Sequence, residues 1–533
     1  MDTRAPAYGF IGNVGLASTP VPTMDRRWLA AAVLITALMM LGIAVGYRTG
    51  PTFASTFSAR VSLVYCPWAG VLIFFLGWHP RTFPVAAALF YAYLGTAQAA
   101  NSTFFLAGDL DGALTLEMVL AVPLILTGLC GPPGALPGRS RPVPSLVYVG
   151  WGTVLASAVI STVLARFPEI AIPTLFARFV IPILVTLAVF NRLRSVEDYK
   201  IIWVGFLLGM FAISAFGFQR TVLGNVPWYQ TGVGQRYTAA SLSFGIPTLY
   251  VVGPALWFGH ALAMRKSLLA GVGLLATAAL FGLLLWLGAH RSPVFFFGLL
   301  VLWWVPGHMV RQMFSLRSLL LALLASVAIA GLVSFSLQRT TYDVGFIVVR
   351  FGELISHGLT GEARWAIWTH ALQHWASSPI WGVGLNNWVL LDTGFMSIHG
   401  SLFGILFDMG VLGIGAFTVL FGSVLWISRK SCLTGLSRDN QEFVLGCRAG
   451  WVMMLLLLVV NVTFTSGQPL NNILAYAVFF YPLLAMTVYS RHPQPEYHWT
   501  SSPRPEPAPP AALPADSWAT ATPSGTPHGG PRR

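Results

Sequence analysis

Apolar runs of about 20 residues, each enough for one helical crossing of a bilayer, follow one another along most of this chain. No other feature narrows its fold as much. Inside lipid every backbone N–H and C=O must find a partner, which leaves helices or a closed barrel. Runs of this length and apolarity read as transmembrane helices. With 55% hydrophobic and 9% charged residues among 533 and a mean hydropathy of +0.69, a soluble domain is excluded. The sequence predicts an all-α polytopic membrane protein of about fourteen transmembrane helices. Their centres fall near residues 38, 69, 94, 121, 156, 181, 208, 254, 278, 301, 327, 414, 455 and 480.

The first run, Trp28 to Tyr47, follows Asp25-Arg26-Arg27 and lacks a small-residue cleavage pattern. It is expected to be a retained helix, with residues 1–27 a cytoplasmic segment. Helices 1–11 then occupy residues 28–337, and alternation puts Arg139/Arg141, Arg192/Arg194/Lys200, Arg265/Lys266, Arg311/Arg317 and Arg429/Lys430/Arg438/Arg448 on the cytoplasmic face. This matches the positive-inside rule. Residues 338–398 become one large loop containing short helices, on the periplasmic side of a bacterial inner membrane. Residues 399–491 carry helices 12–14. Residues 492–533, with Pro503, Pro505, Pro507, Pro509 and Pro510, cannot bury enough apolar surface to fold and read as a disordered cytoplasmic tail.

The net charge of +13 falls mainly in the short inside loops, where orientation and anionic headgroups account for it. No basic helix or RNA-binding motif accompanies it, so nucleic acid is not an expected partner. The 4 cysteines, Cys66, Cys130, Cys432 and Cys447, lie in expected helices or on the cytoplasmic side. They indicate no disulfide framework.

Within the large loop, Trp365, Trp368, Leu372 and Trp375 draw an aromatic stripe down a short helix over 363–376. Such a stripe suits the membrane interface or neighbouring helices. Pro379-Ile380-Trp381-Gly382-Val383-Gly384 should stop that helix and turn the chain back. The loop ends at His399, a titratable imidazole at a membrane boundary, suited to acid–base work. The same topology collects Arg220, Arg236, His290, Arg291 and Arg364 on the outer side. Together they make an electropositive pocket whose guanidinium forks suit a diphosphate.

Arg364-Trp365-Ala366-Ile367-Trp368, Pro379 to Gly384, then His399 followed by Leu402-Phe403 and Gly410-Val411-Leu412-Gly413, resemble the signature region of the O-antigen ligase and polymerase superfamily. Gly288-Ala289-His290-Arg291-Ser292 is similar to a short Ser-Arg segment of that family. Its members are inner-membrane glycosyltransferases with undecaprenyl-diphosphate-linked glycan donors. The resemblance implies that His399 is catalytic, and that Arg291 and Arg236, with Arg364 and Arg220 nearby, bind the donor diphosphate, His290 being a secondary candidate. The implied acceptor is a lipid A core or a growing surface polysaccharide. Arginines that neutralise the leaving diphosphate and a histidine base for the acceptor hydroxyl would suffice for inverting transfer. No metal or other cofactor is then needed.

Other readings compete. Asp109-Leu110-Asp111 in a short outer loop is similar to the Asp-x-Asp of metal-dependent C-type glycosyltransferases that use polyprenyl-phosphate sugars, though Gly112 beside it suits an ordinary turn. His370 and His374 are spaced to share a helix face, as a metal pair would. Arg178, inside the sixth helix, should face the bundle interior or snorkel, with Glu169 or Glu117 as its expected partner. Frequent Gly and Pro within helices keep a lipid-linked oligosaccharide flippase or exporter in view.

Overall fold

The computed structural model of the chain describes residues 69–99, 116–131, 142–222, 229–231, 234–236, 245–287, 291–308, 363–391, 398, 400–429, 433, 435–460 and 472–491. All belong to one compact unit, Met1–Pro493; the second unit, Gln494–Arg533, lies outside the described residues. So do the expected helices centred near 38 and 327, and Asp109 and Asp111.

The described chain is helical apart from one small hairpin. In order it forms α1 (Ala69–Trp78), α2 (Phe83–Ala99), α3 (Leu116–Cys130), α4 (Ser145–Val163), α5 (Pro168–Leu175), a π-helical turn (Phe176–Val180), α6 (Ile181–Arg192) and α7 (Val196–Val222). The hairpin pairs β1 (Tyr229–Thr231) with β2 (Gly234–Arg236). Then come α8 (Gly245–Arg265), α9 (Leu268–Leu287), α10 (Arg291–His308), α11 (Ala363–Trp375), a 3₁₀ turn (Asn387–Leu390), α12 (Ser401–Ile427), α13 (Arg438–Val460) and α14 (Asn472–Arg491). Among the described residues, 5 helical stretches are long and apolar enough to cross a membrane: Ser145–Val163, Pro168–Arg192, Leu268–Leu285, Ser401–Ile427 and Arg438–Val459.

Prolines shape one of these spans. Pro182 has no N–H to offer the carbonyl of Arg178, and its ring would clash with that carbonyl in a regular helix. The chain widens into the π turn there, and the N–H of Ile181 bonds instead to the carbonyl of Phe176. Arg178 sits in this turn at 2% exposure. Its placement inside the bundle agrees with the cost of a guanidinium in lipid. Glu169 differs from its expected part as partner: it is exposed in the first turn of α5. The side chain of Glu117 lies outside the described residues.

Helices approach closely where small residues meet, because association in lipid depends on contact rather than on a hydrophobic drive. Gly253 of α8 lies against Gly446 and Gly450 of α13, with no room for a Cβ between the backbones. Gly205 of α7 meets Ala88 of α2 in the same way. Between these crossings sits an aromatic core in which Tyr91 stacks on Phe206 at 4.3 Å and Phe480 contacts Tyr91, Phe206 and Tyr250 edge-on.

Contacts at the helix ends fix the direction of each element. At one end, Tyr199 at the start of α7 shares a hydroxyl hydrogen bond of 2.8 Å with Thr487 near the end of α14. Lys200 bonds to Asn440 at the start of α13, and Lys266 between α8 and α9 pairs with Asp439. Arg192 at the end of α6 donates to the Thr127 carbonyl near the end of α3 at 3.0 Å. The basic residues expected on the cytoplasmic face therefore do share one end wherever their contacts are described. At the other end lie the α4–α5 turn, the start of α12 and the end of α13, joined through α11 and the segment that follows it.

Candidate functional site

The loop-bearing end is organised around a break in α12. Its 27 residues would span about 40 Å at about 1.5 Å per residue, more than the hydrocarbon thickness of about 30 Å. At Gly410 the backbone leaves helical geometry, with φ 65 and ψ −161. A break there separates two helical hydrogen-bonding pairs, the carbonyls of Phe407 and Asp408 from the N–H groups of Val411 and Leu412. Unfilled, each group would cost free energy in an apolar setting.

The segment after α11 fills all four places. The N–H of Val383 donates to the Phe407 carbonyl at 2.8 Å, and that of Gly384 to the Asp408 carbonyl at 3.2 Å. In return the carbonyl of Pro379 accepts from Val411 at 3.0 Å, and that of Ile380 from Leu412 at 3.1 Å. The Ser161 hydroxyl of α4 also donates to the Asp408 carbonyl. Glycine is required on both sides of the join. Gly382 has φ 77 and lies against the backbone of Asp408, while Gly410 lies against Ile380 and Gly382. The amide of Arg166, between α4 and α5, donates to the Val383 carbonyl at 3.2 Å and ties the join to the rest of the bundle.

Pro379–Gly384 and Gly410–Gly413, separate motifs in the sequence, are thus one structure. The first indeed follows the end of α11 and turns the chain, but it also completes α12.

His399 lies outside the described residues, as does His290. Both chain neighbours of His399 are placed. Ile398 is fully buried in a cluster with Ile367 and Ala371 of α11, Trp388 and Phe407. Gly400 caps α12 with φ 114; a Cβ there would come within 3.0 Å of the Val459 carbonyl and 3.5 Å of Trp368 Nε1. Trp368 in turn stacks on Phe403 at 4.6 Å. The chain entering and leaving position 399 is therefore held by α11, α12 and α13.

The four candidate arginines are placed by their backbones. Arg220 is in the last turn of α7, Arg236 pairs with Tyr229 in the hairpin, Arg291 begins α10 and Arg364 is in the first turn of α11. The direction of α7 puts Arg220 at the loop-bearing end. So does that of α10 for Arg291, since Trp303 and Trp304 further along α10 contact Trp257 and His260 in the half of α8 nearer Lys266.

His370 and His374 share a face of α11, with ring centroids 4.8 Å apart. Burial, then His370, then Arg166 hold the His374 imidazolium below its usual acidity range, favouring the neutral ring. No group of three or more His, Cys, Asp or Glu side chains suited to a metal occurs among the described residues.

Sequence reasoning gave no role to Asp408, Ser161, Arg166 or Asn387, all at the join. Asp408 is wholly buried, and Asn387, also wholly buried, donates from Nδ2 to the Val383 carbonyl at 2.8 Å. An aspartate within an apolar span is a signal that was available, because such residues are costly in lipid and mark functional or structural centres.

A scan against protein-family models finds no match to this chain, and no curated protein matches its sequence.

Proposed function

We propose that the chain is a glycosyltransferase of the O-antigen ligase or polymerase type, acting at the periplasmic face of a bacterial inner membrane. Its donor is a glycan on undecaprenyl diphosphate, and its acceptor a saccharide hydroxyl of a lipid A core or growing polysaccharide. One observation carries the reading. Helix directions bring the backbones of Arg220 and Arg291 to the end of the bundle where α11 and both neighbours of His399 are anchored.

In the proposed reaction the acceptor oxygen attacks the anomeric carbon, and the bond from that carbon to the diphosphate oxygen breaks. The electron pair leaves with the diphosphate, whose charge Arg291 and Arg236 stabilise, with Arg364 and Arg220 beside them. The acceptor proton passes to His399. Attack opposite the leaving group inverts the anomeric centre.

The break at Gly410 invites the exporter reading, since transporters break helices at their substrate sites. Here the freed backbone groups are taken up by Pro379–Gly384 rather than turned to a cavity, which favours the enzyme.

The test is transfer from a polyprenyl-diphosphate glycan by purified protein. His399→Ala should lower the rate by about 100-fold or more, the usual contribution of a general base, with the protein still inserted and monodisperse. Arg291→Ala should weaken donor binding. Normal product from the His399 variant sinks the assignment. Movement of lipid-linked sugar across vesicles without a new glycosidic bond would favour the exporter, and loss of activity on chelation the metal-dependent C-type enzyme.

A further inference from the structure

One side of α11 is buried and the other open. Ile367 and Ala371 pack with Trp388, Ile398 and Phe407, while Trp365, Thr369, Leu372 and Gln373 are exposed. At about 3.6 residues per turn the exposed arc divides in two. Trp365 and Leu372 border Trp368 and Trp375, which reach the rest of the bundle. Trp368 stacks on Phe403 of α12, and Trp375 donates from Nε1 to the Pro379 carbonyl at 3.1 Å. Thr369 and Gln373 form the polar border on the far side of the arc.

The apolar border continues across the join. The Pro379 and Ile380 carbonyls accept from Val411 and Leu412, so Ile380 and Trp381 lie alongside the first turn of α12 beyond the break. All four of Ile380, Trp381, Val411 and Leu412 are exposed, Ile380 at 52% and Val411 at 56%. On a helix long and apolar enough to cross a membrane, exposed valine and leucine side chains face hydrocarbon. The other end of α12 sets the depth. Arg429 lies over the Trp426 ring at 5.6 Å, a pair suited to the inner interface. From there Val411–Ile427 spans about 25 Å at about 1.5 Å per residue, against a hydrocarbon core of about 30 Å. The break therefore falls near the outer edge of the hydrocarbon.

We infer that Trp365, Leu372, Ile380 and Trp381 form one surface embedded in the outer leaflet, holding α11 along the membrane interface with Thr369 and Gln373 toward water. Its partner is phospholipid, at the level where headgroups meet acyl chains. Tryptophan suits that depth, because its ring is apolar and its N–H reaches polar groups. A protein docked on this surface would also have to displace lipid from Val411 and Leu412, which continue it into the span. The inference stands on exposure and depth and does not depend on glycosyl transfer.

A fluorescent amino acid placed singly at Leu372, Ile380 or Gln373 of the full chain tests the surface, in vesicles of phosphatidylethanolamine and phosphatidylglycerol. Brominated acyl chains quench from within the bilayer, and iodide on both sides of the vesicle quenches from water. At positions 372 and 380 the reporter should lose most of its emission to brominated lipid and little to iodide. At position 373 the order should reverse. Leu372 and Ile380 are exposed and belong to different segments, so a folding defect at one leaves the other to decide the result. Iodide quenching at 372 and 380 as strong as at 373 would put the surface in water and overturn the proposal. Protection of both positions from both quenchers would overturn it as well, since protein would then cover the surface; recovery of iodide quenching on dilution into excess lipid would identify that cover as a second copy of the chain.

Discussion

The two ends of the bundle handle charge in opposite ways. At the end bearing Lys200 and Lys266, cations meet partners: Lys266 pairs with Asp439, and Lys200 reaches Glu197 at 3.0 Å and Asn440 while lying 4.6 Å from the Phe258 ring. Arg448 donates to the Ser428 carbonyl at 3.0 Å. At the loop-bearing end, hydrogen bonding is concentrated in backbone that repairs the break in α12, while Arg166, His370 and His374 form no ion pair among the described residues. Lys200 and Lys266 are paired at one end, whereas no ion pair reaches Arg166, His370 or His374 at the other among the described residues.

The sharpest way to break this contrast is at the join. Gly410→Ala should destabilise the protein by about 3 kcal/mol or more, combining an unfavourable positive φ with a backbone clash. Gly382→Ala should act similarly. Thermal unfolding in detergent checks both, and a change within about 0.5 kcal/mol, the usual range for a surface position, would mean that the join is not a structural requirement.

A second effect is expected from pH. The folded state holds His374 below its ordinary protonation range, so the unfolded chain binds the proton more readily. Stability should therefore fall as pH drops through about 6.5, the unperturbed imidazole value. His374→Asn should flatten that fall, and an unaltered stability profile would remove His374 from the account.

The smallest effect belongs to the opposite end. Asp439 raises the Lys266 ammonium pKa, by hydrogen bonding first and by charge second. That contribution is present below the unfolded lysine value and is lost as pH rises through the folded one. Because Lys266 is exposed, Asp439→Asn should shift the melting temperature only slightly, and only below strongly alkaline pH. A large shift would show that charge pairing holds this end together.

Much of this arrangement was legible in the sequence. The apolar runs located helices such as 145–163 and 438–459 because lipid leaves backbone few alternatives. Alternation of those runs correctly grouped Arg192, Lys200 and Lys266 at one end. The pairing of Pro379–Gly384 with Gly410 was not legible, because backbone hydrogen bonds between distant segments leave no side-chain periodicity to read. Arg166 was overlooked because it sits in a short turn outside every motif, and its importance comes from where α11 docks. The hairpin at Tyr229–Arg236 was missed for its brevity. The need for glycine at position 400 was likewise not legible, since it follows from a φ of 114 that strains any side chain.

The repair of α12 has a bearing on biogenesis. Pro379–Gly384 precedes α12 in the chain, so it is synthesised before the helix whose ladder it completes. An α12 inserted without it would carry two carbonyls and two N–H groups unpaired within an apolar span. Full pairing of this helix therefore waits on docking of the preceding segment, whose length is fixed by register. Removing a single residue between Pro379 and Gly384 would offset donors from acceptors, so the assembly pathway tolerates changes of side chain in this stretch far better than changes in its number of residues.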